Sequence, residues 1–210
     1  MIRILIADDH AIVRKGLKEI LADTPDISVK GEASNGREAL AKISEQAYDV
    51  VVLDIAMPGS SGLETLQQIK AEKPELPVLI LSMYAEEQYA VRALKVGASG
   101  YLTKKTAPEE LISAIRKVHQ GGKYVTLALA ERLASLLHAD SGKLAHENLS
   151  DREYEVMIRI AQGERLKEIA GDLFISEKTV STYRTRILEK MQVDSNAEMT
   201  RYAVDHHLIE

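Results

Sequence analysis

The chain has 210 residues, with 27 Lys or Arg against 32 Asp or Glu for a net charge of −5, 45% apolar residues, 28% charged residues and no cysteine. That size and balance predict one large or two smaller globular domains, with no apolar run near the roughly 18 residues a membrane span needs. The missing cysteines exclude disulfides, zinc-thiolate centres and thiol catalysis; the acidic balance disfavours nucleic-acid binding over the whole surface but leaves room for a local basic face. The start, "MIRILIADDH", is a short apolar run broken by Arg3 and closed by two aspartates, so no secretory leader is expected and the predicted compartment is a reducing cytoplasm.

In chain order, the strand candidates are Ile2 to Ala7, Ile27 to Ala33, Val50 to Asp54, Val78 to Ser82 and Gly100 to Lys104. Helical periods lie between them: Val13, Leu17, Ile20 and Leu21; Ala39, Leu40 and Ile43; Leu63, Leu66 and Ile69; Ala90, Val91 and Leu94; Leu111, Ile112, Ile115 and Val118. Five such units predict a doubly wound α/β domain over residues 1–122, a five-stranded parallel flavodoxin-like sheet covered on both faces. Gly121-Gly122 breaks the pattern, and residues 123–147 read as a linker holding one helical segment, "LALAERLASLLH", and a polar tract, "HADSGK". Residues 148–210 then carry four helical periods and no strand, a small all-α domain whose first helix is signalled by Ser150 and Glu153 at capping-box spacing.

In an open parallel sheet, ligands bind beyond the carboxyl ends of the strands. Asp8, Asp9, Asp54, Ser82 and Lys104 each follow a strand directly, so the linear sequence gathers them at one edge. Clustered carboxylates repel unless a cation neutralises them, and Mg²⁺ fits because it takes one or two carboxylates and leaves positions for water and phosphate oxygens. Lys104 suits a phosphoryl oxygen, Ser82 can donate to another, and an aspartate beside Mg²⁺ can attack phosphorus to form an acyl phosphate. Helix capping by Asp9 or His10 at Ala11 accounts for part of this cluster, but not for Asp54 or Lys104.

The segments "IADDH", "VVLDIAMPG", "LILSM" and "GYLTK" resemble, in order and spacing, the motifs of two-component receiver domains. The resemblance implies that a sensor histidine kinase phosphorylates Asp54. It further implies that Asp9, Asp54 and the backbone carbonyl of Ala56 hold Mg²⁺, with Asp8 assisting through water. It makes Ser82 and Tyr101 the switch pair, the tyrosine turning inward as the hydroxyl moves to the phosphoryl group, and it implies no enzymatic role beyond the domain's own phosphorylation and dephosphorylation.

The helical region is similar to the LuxR-type helix-turn-helix, which with the receiver motifs identifies the chain as a member of the NarL/FixJ subfamily. Residues 146–210 hold nine Lys or Arg against thirteen Asp or Glu, net −4, yet residues 177–191 are net +2. The resemblance makes Leu166 to Leu173 the scaffold helix and Glu177 to Met191 the recognition helix, with Ser176 as N-cap and Val180, Ile187 and Met191 on its buried face. By position, Ser181, Thr182 and Thr185 are expected to read bases, while Lys178, Thr179, Tyr183, Arg184 and Arg186 contact mainly the DNA backbone. Where the family often has "TVKxH", this chain has "TVSTY", so one cation is lost and lower affinity or a different preferred sequence is expected. The last helix, Asn196 to Ile209, is implied to pair two copies on an inverted repeat, and RNA polymerase is an implied further partner.

The expected function is therefore a regulator that is phosphorylated on Asp54 and binds double-stranded promoter DNA as a homodimer, without a membrane partner. Two rivals follow from the same residues. One is a Mg²⁺-dependent phosphatase or phosphotransferase for small molecules, for which the short strand-to-helix connections leave no substrate pocket or cap domain. The other is a phosphorylation-controlled protein-interaction module, which the acidic charge of the helical domain keeps in play.

Overall fold

Runs of isoleucine, valine and leucine such as "VVVL" and "VLIL" become fully buried strands, and each strand leads into an amphipathic helix. The computed structural model describes residues 1–57, 61–84, 86–138 and 144–209; Pro58 and Gly59, where the end of "VVLDIAMPG" predicts a turn, and most of the polar tract after His138 lie outside them. In order, the first elements are β1 (Ile2–Ala7), α1 (Ala11–Ala22), β2 (Ile27–Ala33), α2 (Gly36–Glu45), β3 (Val50–Leu53), α3 (Gly62–Glu72), β4 (Val78–Ser82), α4 (Glu86–Val96), β5 (Gly100–Thr103) and α5 (Pro108–His119). They are followed by α6 (Leu127–His138), a 3₁₀ turn (Ala145–Asn148), α7 (Asp151–Ala161), α8 (Leu166–Asp172), α9 (Glu177–Met191) and α10 (Asn196–Asp205). The chain divides into two compact units, Met1–Leu133 and Ala134–Glu210. Among the described residues, no helix is long and apolar enough to cross a membrane.

The sheet of the first unit is parallel throughout, in the order β2-β1-β3-β4-β5. Because side chains alternate across a strand, Ile4, Ile6, Val50, Val52, Leu79, Leu81 and Leu102 face one way, onto Leu17 and Leu21 of α1 and Leu111, Ile115 and Val118 of α5. The residues between them are equally buried, and α2, α3 and α4 line up side by side as a second layer. At about 1.5–3 kcal/mol for each such side chain removed from water, these two layers are what fix the strand order. That order reverses direction between β1 and β3, the crevice where this fold class places its ligands. Of the stretch 123–147, Tyr124 belongs to the first unit: its amide donates to the Ser99 carbonyl at 2.8 Å, and its hydroxyl to Glu110 at 2.8 Å.

In the second unit, α7 packs against α9 and α10, and α8 against α9. The capping box read from the sequence is present: the Ser150 side chain accepts from the Glu153 amide, and Glu153 reaches back to the Ser150 amide at 2.8 Å. Val180, Ile187 and Met191 form the buried stripe of α9, and the Ser176 hydroxyl caps it by accepting from the Thr179 amide at 3.1 Å.

The helix ends depart from the sequence reading. α8 stops at Asp172 and α10 at Asp205, earlier than the Leu173 and Ile209 expected, because the chain turns left-handed at Phe174 (φ 53°) and His207 (φ 52°). After Phe174 the Ile175 amide returns to the Ala170 carbonyl at 3.0 Å, and after His207 the Leu208 amide returns to Ala203 at 2.8 Å, the bonds of a Schellman stop. Glycine is the unstrained residue there, and Phe174 is 69% exposed, so packing does not explain it. Phe174→Gly is expected to stabilise the second unit by about 1 kcal/mol. Urea unfolding followed by far-UV circular dichroism measures this; a lower midpoint would show that the ring contributes more than its strain costs.

Candidate functional site

Strand register assembles the first site. Ala7 pairs with Leu53, so the residues that follow them, Asp8 and Asp54, leave the sheet side by side; the Asp54 amide donates to the Ala7 carbonyl at 2.8 Å. β3 and β5 end at Leu53 and Thr103, one residue short of the expected bounds, which puts Asp54 and Lys104 just beyond the ladder. The Lys104 amide is tied to the Ser82 carbonyl at 2.7 Å. Its ammonium crosses the crevice to Asp8 Oδ2 at 2.6 Å and Asp54 Oδ2 at 2.7 Å, with all three side chains nearly closed to water.

Burial raises the Asp54 carboxyl to about 6, against the pull of Lys104, and the nearby Asp8 charge pushes the same way. For Lys104 burial opposes the charge, but the two carboxylates outweigh it and raise its pKa. Asp54 Oδ1 accepts from the Ala56 amide at 3.2 Å, which bends the chain after β3 around the carboxylate. Gly62 lets α3 start against this turn: a Cβ there would lie 2.3 Å from the Asp54 carbonyl and 2.5 Å from Ile55 Cα.

Asp9 stands beside this pair, half-buried, and its Oδ1 is closed to solvent with no hydrogen bond of acceptable geometry. Carboxylate oxygens of Asp8, Asp9 and Asp54 and a ring nitrogen of His10 all lie within 4.8 Å of one another. A buried carboxylate oxygen that meets the His10 ring nitrogen at 2.7 Å without a well-formed hydrogen bond, in a cluster of hard oxygen donors, fits a divalent cation. Neither Asp9 nor His10 caps α1 through its side chain, contrary to the simplest reading of "DDH": the N-cap is His10, and no side-chain capping bond forms. The His10 amide instead donates to Asp8 Oδ1 at 2.8 Å. Arg14, which the sequence reading passed over, donates to the Asp8 carbonyl at 2.7 Å and pins the turn after β1 from below.

Ser82 and Tyr101 are both fully buried. They meet through the backbone of one residue: the Tyr84 amide donates to Ser82 Oγ at 3.2 Å, and the Tyr101 hydroxyl donates to the Tyr84 carbonyl at 2.9 Å. The Tyr84 ring packs on Tyr89 of α4, centroids 4.7 Å apart. Nothing in the spacing of the sequence pointed to Tyr84.

The second candidate surface lies on α9. Lys178, Ser181, Thr182, Thr185 and Arg186 are exposed, while Thr179, Tyr183 and Arg184 are half-buried. Ser176, Lys178, Thr179, Thr182, Tyr183 and Arg186 line one open groove of about 300 Å³. Thr182 and Thr185 donate their hydroxyl protons to the helix's own carbonyls of Lys178 and Ser181, at 3.0 and 3.2 Å, so each presents an accepting oxygen and a methyl group outward. Two cations counted on this helix are engaged elsewhere: Arg184 donates to Asn196 at 2.7 Å, and Lys190 pairs with Glu153 at 2.6 Å. Burial opposes ionisation of Glu153, but Lys190 and Ser150 outweigh it and lower its pKa.

Residues 4–116 match the response regulator receiver domain, and residues 147–203 match the bacterial regulatory proteins of the luxR family. The chain belongs to the response regulators. It is a two-component regulator of the NarL/FixJ subfamily with a LuxR-type DNA-binding domain. The response regulator UvrY of Escherichia coli K12 is 36% identical over 209 residues, 99% of this chain and 96% of the relative. The response regulator GacA of Pseudomonas protegens is 36% identical over 210 residues, 100% of this chain and 99% of the relative. Among solved structures, RcsB of Salmonella enterica serovar Typhimurium, bound to promoter rprA in the presence of phosphomimetic BeF₃⁻, is 26% identical with a TM-score of 0.65, covering 97% of this chain and 99% of that one. In this response regulator the acidic crevice lies wholly within the receiver match, and the α9 groove within the luxR match.

Proposed function

We propose that Asp54 is the phosphoacceptor of this response regulator and that its phosphorylation controls dimeric binding to promoter DNA in the cytoplasm. The observation that carries this reading is the Lys104 ammonium held between Asp8 and Asp54 at the mouth of the β1/β3 crevice. A lysine so placed neutralises a carboxylate until a phosphoryl group arrives, then turns to the new oxygens.

A carboxylate oxygen of Asp54 attacks the phosphorus of a phosphohistidine on the kinase; the P–N bond breaks and an acyl phosphate forms. Asp9, Asp54 and the Ala56 carbonyl are the groups to hold Mg²⁺, with Asp8 assisting through water, and the bound ion supplies charge neutralisation for the phosphoryl oxygens. Ser82, whose oxygen already accepts from Tyr84, keeps its hydroxyl proton to donate to one of those oxygens. Ser82 and Tyr101 bond to the amide and the carbonyl of the same residue, Tyr84, which supports these two residues as the switch pair. The chemistry stays within the domain's own phosphorylation and dephosphorylation.

On α9, Lys178, Thr179, Tyr183 and Arg186 line one groove, which supports assigning them, with Arg184 beside them, to phosphate contacts. Ser181, Thr182 and Thr185 are assigned to base edges, and the outward acceptor of each threonine suits the amino donors of adenine or cytosine. α10 is the candidate for the two-fold contact, and RNA polymerase is the partner expected at the promoter. The phosphorylated full chain should retain inverted-repeat duplexes from a random pool, with affinity falling steeply as salt rises. Lys178→Ala and Arg186→Ala should each weaken binding across sequences and flatten the log–log salt slope by about 1. Failure of the phosphorylated chain to bind any duplex at low salt would favour the protein-interaction reading.

A further inference from the structure

We propose that His10 is a nitrogen ligand of the receiver's cation site, giving that site a larger preference for Mn²⁺ or Co²⁺ over Mg²⁺ than its carboxylates alone would produce. The inference rests on the metal-binding part of the proposed function and goes beyond it by adding a ligand of a different chemical kind.

His10 Nδ1 lies 2.7 Å from Asp9 Oδ1 and 3.3 Å from Asp8 Oδ1. An octahedral cation with bonds of about 2.1 Å sets neighbouring ligand atoms about 3 Å apart, so these two spacings bracket what one shared ion requires. A donor of each of Asp8, Asp9, His10 and Asp54 falls within one 4.8 Å cluster, which groups the imidazole nitrogen with the carboxylates of the cation site. Lys104 occupies the other oxygens, Oδ2 of Asp8 and Oδ2 of Asp54, so the ammonium and the imidazole approach the Asp8 carboxylate from different sides. Asp9 Oδ1, the atom nearest the imidazole, is the one left without a well-formed hydrogen bond.

Helix capping does not account for the residue, whose ring nitrogen contacts only the carboxylates of the cluster among its described partners. His10 holds the N-cap of α1 without a capping bond, in a position where Ser, Thr, Asp or Asn would stabilise the helix. Its side chain is 60% exposed, so it fills no core space; its backbone is anchored by the amide bond to Asp8, which keeps the ring over the cluster. An imidazole nitrogen adds little affinity for Mg²⁺, whose preference is for oxygen, but raises affinity along the series from manganese through cobalt and nickel.

The test uses the full chain as wild type, His10→Gln and His10→Ala, titrated separately with Mg²⁺, Mn²⁺ and Co²⁺. Calorimetry gives affinities, and the visible absorption of bound Co²⁺ reports nitrogen ligation. Both substitutions are expected to lower Mn²⁺ and Co²⁺ affinity about tenfold, the scale on which one group of a metal site counts, and to change Mg²⁺ affinity by less than about twofold. The Co²⁺ spectrum should shift towards that of an all-oxygen site. Equal losses for all three ions, or no loss for any, overturns the role of His10 while leaving the carboxylate site standing. A wild type that binds none of the ions overturns both this inference and the metal part of the proposed function.

Discussion

Lys104→Met is expected to destabilise the receiver by about 3–5 kcal/mol in metal-free buffer at neutral pH, because it leaves two buried carboxylates facing each other without their cation. The sign of the pH dependence follows from Asp54. Burial holds its folded-state carboxyl at about 6, above its value of 3.8 in the open chain. The folded state therefore binds the proton more tightly, and the penalty for ionising Asp54 builds up as pH rises between about 4 and 6. Loss of Lys104 enlarges that penalty, so the variant should be most weakened near pH 8 and should recover part of its stability near pH 5.5. Titrating Mg²⁺ into the variant at pH 8 should restore part of the loss as well. Thermal unfolding of wild type and variant across these conditions measures all three effects. A variant as stable as wild type at pH 8 without metal would mean that the three side chains are not coupled as their distances indicate.

The second large effect lies in α7. Arg152 Nη1 donates to Glu155 at 2.7 Å and Nη2 to the Leu173 carbonyl at 3.0 Å, with Arg152 5% and Glu155 1% exposed. The guanidinium therefore neutralises a buried carboxylate and also satisfies the end of α8, the helix that precedes the recognition helix. Arg152→Ala is expected to cost the second unit about 3–5 kcal/mol, since the charge of Glu155 stays behind in a site closed to water. Replacing both together, Arg152→Met with Glu155→Leu, should return much of that loss, because apolar groups of similar size need no partner. Urea unfolding of wild type, Arg152→Met, Glu155→Leu and the double variant in a double-mutant cycle gives the coupling. Strictly additive losses would show that the pair contributes nothing as a pair.

These two cases mark the line between what residue order reveals and what it hides. Asp8, Asp54, Ser82 and Lys104 could be placed at one edge of a sheet from order alone, because a parallel sheet sends the end of every strand to the same side and each of these residues ends or follows a strand. The length of α9 and its buried stripe of Val180, Ile187 and Met191 were legible for a similar reason, a period that repeats without interruption. "DREYE" in α7 was not legible: composition marks it as a solvated face, whereas Asp151, Arg152, Glu153 and Glu155 are all buried. Their partners include Leu173 and Lys190, 21 and 37 residues away, and no local pattern carries such a separation.

On α9, charge alone does not separate Lys190 and Arg184, which bond to Glu153 and Asn196, from Lys178 and Arg186, which stand exposed. The position of the His10 ring over Asp9, and the left-handed turn at Phe174, depend on side-chain and backbone torsions that residue identity does not specify.

The central claim is that Asp54 takes the phosphoryl group. Intact mass after incubation of the full chain with Mg²⁺ and acetyl phosphate tests it most directly, with Asp54→Asn treated in parallel. Wild type is predicted to gain a single phosphoryl group that is lost on mild base treatment, as an acyl phosphate must be, and Asp54→Asn to gain none. Equal modification of both chains, or a wild type that binds Mg²⁺ yet stays unmodified, would contradict the assignment.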